Sequence, residues 1–471
     1  MSKVLVVSND IIGVHVAGPG IRAWDLGRQL ARENEVRLAI PSSTPPVTAD
    51  NLTLIRYEPD GAALKKQLDW AQVLVVQSWS TFLYPFLVEP AKVLVFDLYN
   101  PSFFENLVGH ADDMDGDREY QLQYGLELVR DLLAMGDYFI CAHERQRDFW
   151  LGWLTALGRI NHLGYDKDPS FRKLIDVVPF GVPDDPPRHT AHVLKGVYPG
   201  IGQDDRVVLW GGGIWQWLDP VICIEAMHRL ADSRPDVKLF FLSTSQVSAV
   251  QPQMNTAQRA RELSDEYGLT GRQVFFNESW VPYEQRQNYL LEADVGLVAH
   301  YPHIETHFSN RTRLLDCVWT GLPIVTTRGD VWGDWVERYD LGRCVERDAD
   351  QIAQAILEVL ATPREAYRQR FESLARQLSV QRAVEPLLRF CAQPAKAPDQ
   401  SEALVARWQE LRRSSTARRE SQILEYEEQI KSLLDRATSL EEHIRAIQNG
   451  RVIKILNRMD RWLGRQGKGP E

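Results

Sequence analysis

Apolar residues along this chain come mostly in short unbroken runs. In the first half these are Val4–Val7, Val36–Ile40, Val73–Gln77, Val93–Phe96, Tyr138–Ala142 and Ile175–Val178. Between them, Ile21–Glu33 and Leu126–Met135 repeat their apolar positions at helical spacing. Continuous apolar strands separated by amphipathic helices predict a parallel sheet covered on both faces. The proline-bearing stretch Gly181–Thr190 (GVPDDPPRHT) breaks the pattern and reads as a linker. The alternation then restarts, with strands at Val207–Trp210, Lys238–Leu242, Gln273–Phe276, Val295–Ala299 and Ile324–Thr327, and a helix at Pro220–Asp232. The fold class expected is α/β, with two doubly wound, Rossmann-like domains, 1–182 and 183–392, facing a cleft. A closing helix over 376–392 is assigned to the second domain.

The pattern changes again after a linker at 393–401 (QPAKAPDQS). Ile423, Tyr426, Ile430, Leu433, Ala437, Leu440, Ile444 and Ile447 keep three- and four-residue spacing with charges between. Over 402–449 this predicts either a coiled coil, pairing with a second copy or a partner protein, or a long amphipathic helix packed on its own domain. In 450–471, Val452, Ile455, Leu456, Met459, Trp462 and Leu463 share a helical face, flanked by Arg451, Lys454, Arg458, Arg461 and Arg465. Such a basic amphipathic tail suits either an anionic membrane surface or a protein partner.

Composition narrows the function. A net charge of −10 over 471 residues argues against nucleic acid as a partner. The five cysteines, Cys141, Cys223, Cys317, Cys344 and Cys391, form no CxxC, and no histidine cluster is evident, so reduced thiols and no metal site are expected. The opening MSKVLVVSND is not patterned as a signal peptide, and no run is long and apolar enough to span a bilayer. A cytoplasmic protein is expected, with the inner face of the plasma membrane as the place for a peripheral tail.

Candidate chemistry gathers after strands. Gly18-Pro19-Gly20 precedes a helix and is either a cradle for a phosphate or sugar hydroxyl or an ordinary turn. Gly211, Gly212 and Gly213 follow a strand in the second half, where close approach of a ligand explains such a run. Trp215 and Trp217 beside them either wall a sugar or base pocket or pack between the domains. In ETHFSNRTRLLDCVWTGLPIVTT, Arg311 and Arg313 suit the planar recognition of phosphate oxygens, and Asp316 suits a pair of ribose hydroxyls.

With these motifs the stretch Lys3–Phe390 resembles the retaining GT-B glycosyltransferases of the group called family 4. The resemblance rests on Gly18-Pro19-Gly20, VVPFGV (Val177–Val182), SWVPYEQRQNYLLEADVGLVAH (Ser279–His300) and DCVWTGLPIVTT (Asp316–Thr327). It implies transfer of a sugar from a nucleotide-sugar donor to a glycan or lipid-linked acceptor, as in bacterial-type surface polysaccharide synthesis, without cofactor or metal. Donor binding is expected of Gly18, Gly20, Gly212, Gly213, Arg311, Arg313 and Asp316: Asp316 stands where the family's second glutamate grips the donor's ribose, and the two arginines are inferred to take over the phosphate charge. The catalytic candidates are Asp97, His143 and Glu305, with His15, Glu144 and Arg145 behind them. The sequence also departs from the family. Phe308 stands where the family's first glutamate is expected, with Glu305 as the nearest carboxylate, and Gly213 and Leu218 replace its loop Arg and Lys. A sugar-nucleotide epimerase of the same architecture and a catalytically inactive assembly subunit acting through the coiled coil are the alternatives.

Overall fold

The structure, a computed structural model, describes residues 1–14, 16–89, 91–109, 115–243, 255–400, 428 and 431–440. The chain divides into a large unit, Met1–Ser401, and a second, Glu402–Glu471.

In the large unit, β1 (Lys3–Val7), β2 (Glu35–Pro41), β3 (Thr53–Tyr57), β4 (Val73–Gln77), β5 (Val93–Asp97), β6 (Tyr138–Cys141) and β7 (Ile175–Val177) build one sheet. Its order is β3-β2-β1-β4-β5-β6-β7, with every pairing parallel. A second parallel sheet holds β8 (Arg206–Trp210), β9 (Val237–Phe241), β10 (Val274–Phe276), β11 (Val295–Val298), β12 (Ile324–Thr327) and β13 (Gly342–Val345), in the order β10-β9-β8-β11-β12-β13. The central strands β4, β5, β11 and β12 are buried at every position, which is why they read as unbroken apolar runs. Two edge strands escaped that signal: β3 mixes exposed and buried positions, and β13 is only half-buried along most of its length.

In each sheet the order reverses beside its first strand, between β1 and β4 and between β8 and β11. Loops leaving the carboxyl ends of such neighbours diverge and leave a crevice, the usual ligand position in doubly wound folds.

The chain crosses between the two bodies twice, and the crossings lie side by side. Val182 N–H donates to Leu378 O (2.7 Å) and Val380 N–H to Val182 O (3.1 Å). A Cβ on Gly181 would stand 2.3 Å from Val380 Cα, so only glycine permits this contact. The helices Val380–Ala383 and Glu385–Ala392, expected to close the second domain, pack elsewhere: Val380, Val384, Leu387, Leu388 and Cys391 lie in the core of the first sheet. The physical reason is that this apolar face covers the Gly18–Leu30 helix and β1 region of the first body, whereas the second core already ends at Leu378. The segment read as a linker, 393–401, is also held there as far as it is described. Ala397 N–H and the Lys396 ammonium donate to Asp137 (3.0 Å each), and Asp399 takes Arg159 with both oxygens (2.6 and 3.1 Å).

Most of the proposed coiled coil and all of the basic tail lie outside the described residues. The described stretch 431–440 is helical and leaves Leu433 and Leu440 exposed. Among the described residues no helix is long and apolar enough to cross a membrane.

Candidate active site

At the reversal point of the second sheet, the loop after β8 meets the loop after β11. Asp219 N–H donates to Ala299 O (2.9 Å), and Leu218 bridges to His300. Gly212 adopts a left-handed φ of 95° with open space on its Cβ side as far as Arg313 Cζ at 3.9 Å. Arg313, at the start of the Arg313–Thr320 helix, donates to Gly213 O (2.8 Å), and its guanidinium lies 5.4 Å from the Trp210 ring. Its Nη1 is sealed from solvent without a partner, and no carboxylate among the described residues pairs with it. Burial, and then the neighbouring Arg311 charge, push this guanidinium down to about 9. A half-buried cation with one sealed, unpartnered N–H and no paired carboxylate among the described residues, beside a glycine loop, is suited to an anion such as a diphosphate.

Arg311 is differently placed. It lies in a two-pronged ion pair with buried Glu305, at 2.8 and 2.7 Å, and its Nη2 also reaches Thr306 Oγ1 (3.3 Å). Only its Nε is left without a partner. Glu305 therefore holds Arg311, and neither charge is independent of the other. Around them stand His300 and His303. His300 Nδ1 lies 3.3 Å from Thr327 Oγ1 and its Nε2 3.5 Å from Asp330 Oδ2, while Asp330 also caps the Val331–Tyr339 helix through Gly333 N–H (2.7 Å). His303 Nδ1 accepts from Thr306 N–H (3.3 Å) and its Nε2 is sealed and unpartnered; burial lowers its basicity. The carboxyl ends of β11 and β12 thus gather buried polar atoms that protein groups leave unsatisfied, a rare condition away from functional sites.

Asp316 lies one turn into the same helix as Arg313. Its Oδ1 accepts from Arg286 Nε (3.1 Å), and Arg286 is clamped over the Tyr283 ring at 3.5 Å and the Trp319 ring at 4.8 Å. With the carboxylate 29% exposed, its second oxygen remains open to a hydroxyl-bearing ligand. Trp215 and Trp217 stack on one another at 5.6 Å and pack against the core of the second body itself, with Trp215 beside Gly213. A separate groove of about 600 Å³ runs between Pro183–Pro187 and Phe371–Ala375, and none of these charged residues lines it.

The first body contributes less of what its sequence offered. Asp97 is buried with both oxygens on Arg22 (2.5 and 2.8 Å), and Arg22 also donates to Val178 O (2.9 Å). Tied in this way it braces the end of β5 and is not placed as an accessible base. Gly20 is required by packing, since a Cβ there would meet Ile11 O at 2.6 Å. A carboxylate of the protein itself stands at this helix start: Asp10 Oδ1 accepts from the Ile11 amide (3.0 Å) and its side chain lies against Gly20, beside the expected anion cradle. His143 caps the Glu144–Ala156 helix, and its Nε2 lies 3.2 and 3.3 Å from Phe308 O and Ser309 O of the second body. Gln146 Nε2 donates to the same Phe308 O (2.7 Å) and Arg145 pairs with Asp334. Burial lowers the His143 pKa to about 4, outweighing the two carbonyls, so the ring bridges the bodies as a neutral donor. Phe308, in the family's glutamate position, stacks on Phe104 at 5.5 Å across the same junction. Glu144 is taken by Arg172 (2.7 Å), and His15 lies outside the described residues.

Two residues had no sequence signal. Arg286 is recognisable only once folding sets it on Asp316. Glu105, on the Ser102–Gly109 helix, accepts from Asn100 (2.9 Å) and senses both Glu305 and Arg311; burial foremost raises its carboxyl to about 7.

No protein-family model and no curated protein sequence matches the chain. Solved structures do. The chain is similar to sucrose-phosphate synthase from Thermosynechococcus elongatus, with a TM-score of 0.60 and 15% identity over 84% of this chain and 100% of that one. WaaG, a glycosyltransferase involved in lipopolysaccharide biosynthesis, gives a TM-score of 0.58 and 15% identity over 83% and 100%. Anabaena HepE in complex with UDP and glucose gives 0.55 and 12% over 83% and 100%. Identities this low bear on architecture, and the architecture is the GT-B glycosyltransferase fold.

Proposed function

We propose that this chain is a nucleotide-sugar-dependent glycosyltransferase whose donor site is the reversal point of the second sheet. The observation that carries the reading is Arg313, a half-buried guanidinium whose sealed Nη1 has no partner, set against the Gly212-Gly213 loop. In this reading the donor's diphosphate lies on Arg313 and the glycine backbone, Asp316 takes ribose hydroxyls, and the sugar reaches toward His300, His303 and the Glu305–Arg311 pair. Arg311 then acts from its pair with Glu305, oriented rather than free. The leaving diphosphate carries the developing negative charge, and a fixed cation in a poorly hydrated site stabilises it without reorganising. Transfer proceeds with retention, the leaving diphosphate accepting the acceptor's proton, and the chain contributes position and field. A glycan or lipid-linked acceptor, and a tail that self-associates or meets an anionic membrane, complete the proposal; neither cofactor nor metal enters the transfer. HepE's complex with UDP and glucose makes a uridine nucleotide the first donor to try.

Calorimetric titration of UDP, GDP, ADP and dTDP into the full chain tests this. One nucleotide is expected to bind saturably, and Arg313→Ala to weaken it by about 10- to 100-fold, the worth of a charge-assisted contact. If none of the four binds, the reading as a catalytically inactive assembly subunit takes its place.

A further inference from the structure

Away from the cleft, the connection between the sheets carries His189 and His192, and both rings converge on Glu292 at the end of the Arg286–Glu292 helix. His189 Nε2 lies 2.7 Å and His192 Nδ1 3.2 Å from the same oxygen, Oε1. The three ligand atoms all fall within 4.8 Å of one another, and the two rings stand 4.8 Å apart at 63°.

Glu292 is held for this role. Its Oε2 accepts from the amides of Leu194 (2.7 Å) and Lys195 (3.1 Å), and Val193 N–H reaches Oε1 at 3.1 Å. Burial opposes its charge, but His189 and these amides outweigh it and keep the carboxyl below its ordinary value. The histidine segment is fixed as well: Arg188 N–H donates to Gln287 Oε1 and Thr190 N–H to Asn288 Oδ1, both at 2.8 Å. A carboxylate fixed by three backbone amides, with two imidazoles brought to its Oε1, is the arrangement that supporting hydrogen bonds give a metal ligand.

We propose that His189, His192 and Glu292 bind a zinc-class divalent ion that fastens the connection between the sheets to the Arg286–Glu292 helix. Two imidazoles and a carboxylate suit zinc, with water as fourth ligand. Tetrahedral bonds of about 2.0–2.2 Å set ligand atoms about 3.3–3.6 Å apart, so the rings open slightly from Oε1 and settle against each other from within 4.8 Å. The histidine side chains are 35% and 68% exposed, so the ion enters from solvent without unfolding. The helix it grips begins at Arg286, which holds Asp316, so the ion stiffens a support of the cleft without touching it. The site stands on its own geometry and does not depend on the glycosyltransferase reading.

Zinc titrated into the untagged, chelator-stripped full chain is expected to fill one site per chain. Cobalt(II) in its place should show the strong visible absorption of four-coordinate cobalt. His192→Ala removes a largely exposed ring and leaves the fold intact; it should weaken zinc at least about 100-fold and abolish the zinc-induced rise in melting temperature seen in the unaltered chain. His189→Ala should do the same. No saturable zinc binding, or binding that both variants retain, would overturn the site.

Discussion

Asp97→Asn keeps the shape of the side chain and leaves the Arg22 guanidinium sealed with half its partner gone. Breaking a buried pair from one side costs about 3–5 kcal/mol, so urea unfolding should move to markedly lower midpoint while turnover per folded molecule survives. The opposite result, intact stability and lost turnover, would restore Asp97 as a catalytic group. At the junction of the two bodies His143 and Glu105 titrate with opposite sign. His143 falls from 6.5 to about 4 on folding, so its neutral bridge contributes fully above pH 6.5 and is weakened as pH drops toward 4. Glu105 rises from 4.5 to about 7, so its contribution is full below pH 4.5 and lost as pH climbs through 7. Each single variant, His143→Gln or Glu105→Gln, should therefore tilt the stability–pH profile in a direction the other does not, measured by chemical unfolding between pH 4 and 8. These residues also show what the sequence could and could not disclose. The glycine loop, Arg313 and Asp316 could be picked out as candidates because strand, glycine and charge stand close together in the chain. The pairing of Arg311 with Glu305 was not legible, because six positions along the chain both look equally available for ligand. Glu105 and Arg286 were silent, since their chemistry comes from neighbours more than a domain's width or a loop away in sequence.

Elements were read best where burial is uniform. Fully buried strands produce unbroken apolar runs, whereas β3 and β13 at the sheet edges dilute theirs with polar positions. The closing helices were found as helices but given to the wrong body, because an amphipathic face reports that it is covered and not by what. Their seat makes Gly181 a sharp test. Gly181→Ala drives a Cβ into the Val380 backbone, so it should destabilise by at least about 1–3 kcal/mol and separate the two bodies' unfolding transitions in calorimetry. Gly152, exposed inside the Glu144–Ala156 helix with open space at its Cβ, gives the contrast: Gly152→Ala should stabilise by about 0.5–1 kcal/mol.

At the scale of the whole molecule, we propose that the tail associates with a second copy. Leu433 and Leu440 are seven residues apart on a helix and exposed, the pattern of a seam awaiting a partner. Sedimentation should show the full chain heavier than one copy, and Leu433→Asp with Leu440→Asp should return it to a single copy with nucleotide binding unchanged. A different consequence follows from the paired crossings at Val182 and Leu378. The second body is a guest inserted within the first, because the first body's core still lacks Val380–Cys391 when everything before them has been made. During synthesis the guest, whose core ends at Leu378, has all its residues first, and the amino-terminal host must wait for the last turns of helix to leave the ribosome. Multidomain chains ordinarily fold in the order they are translated; this one is built to finish at its beginning.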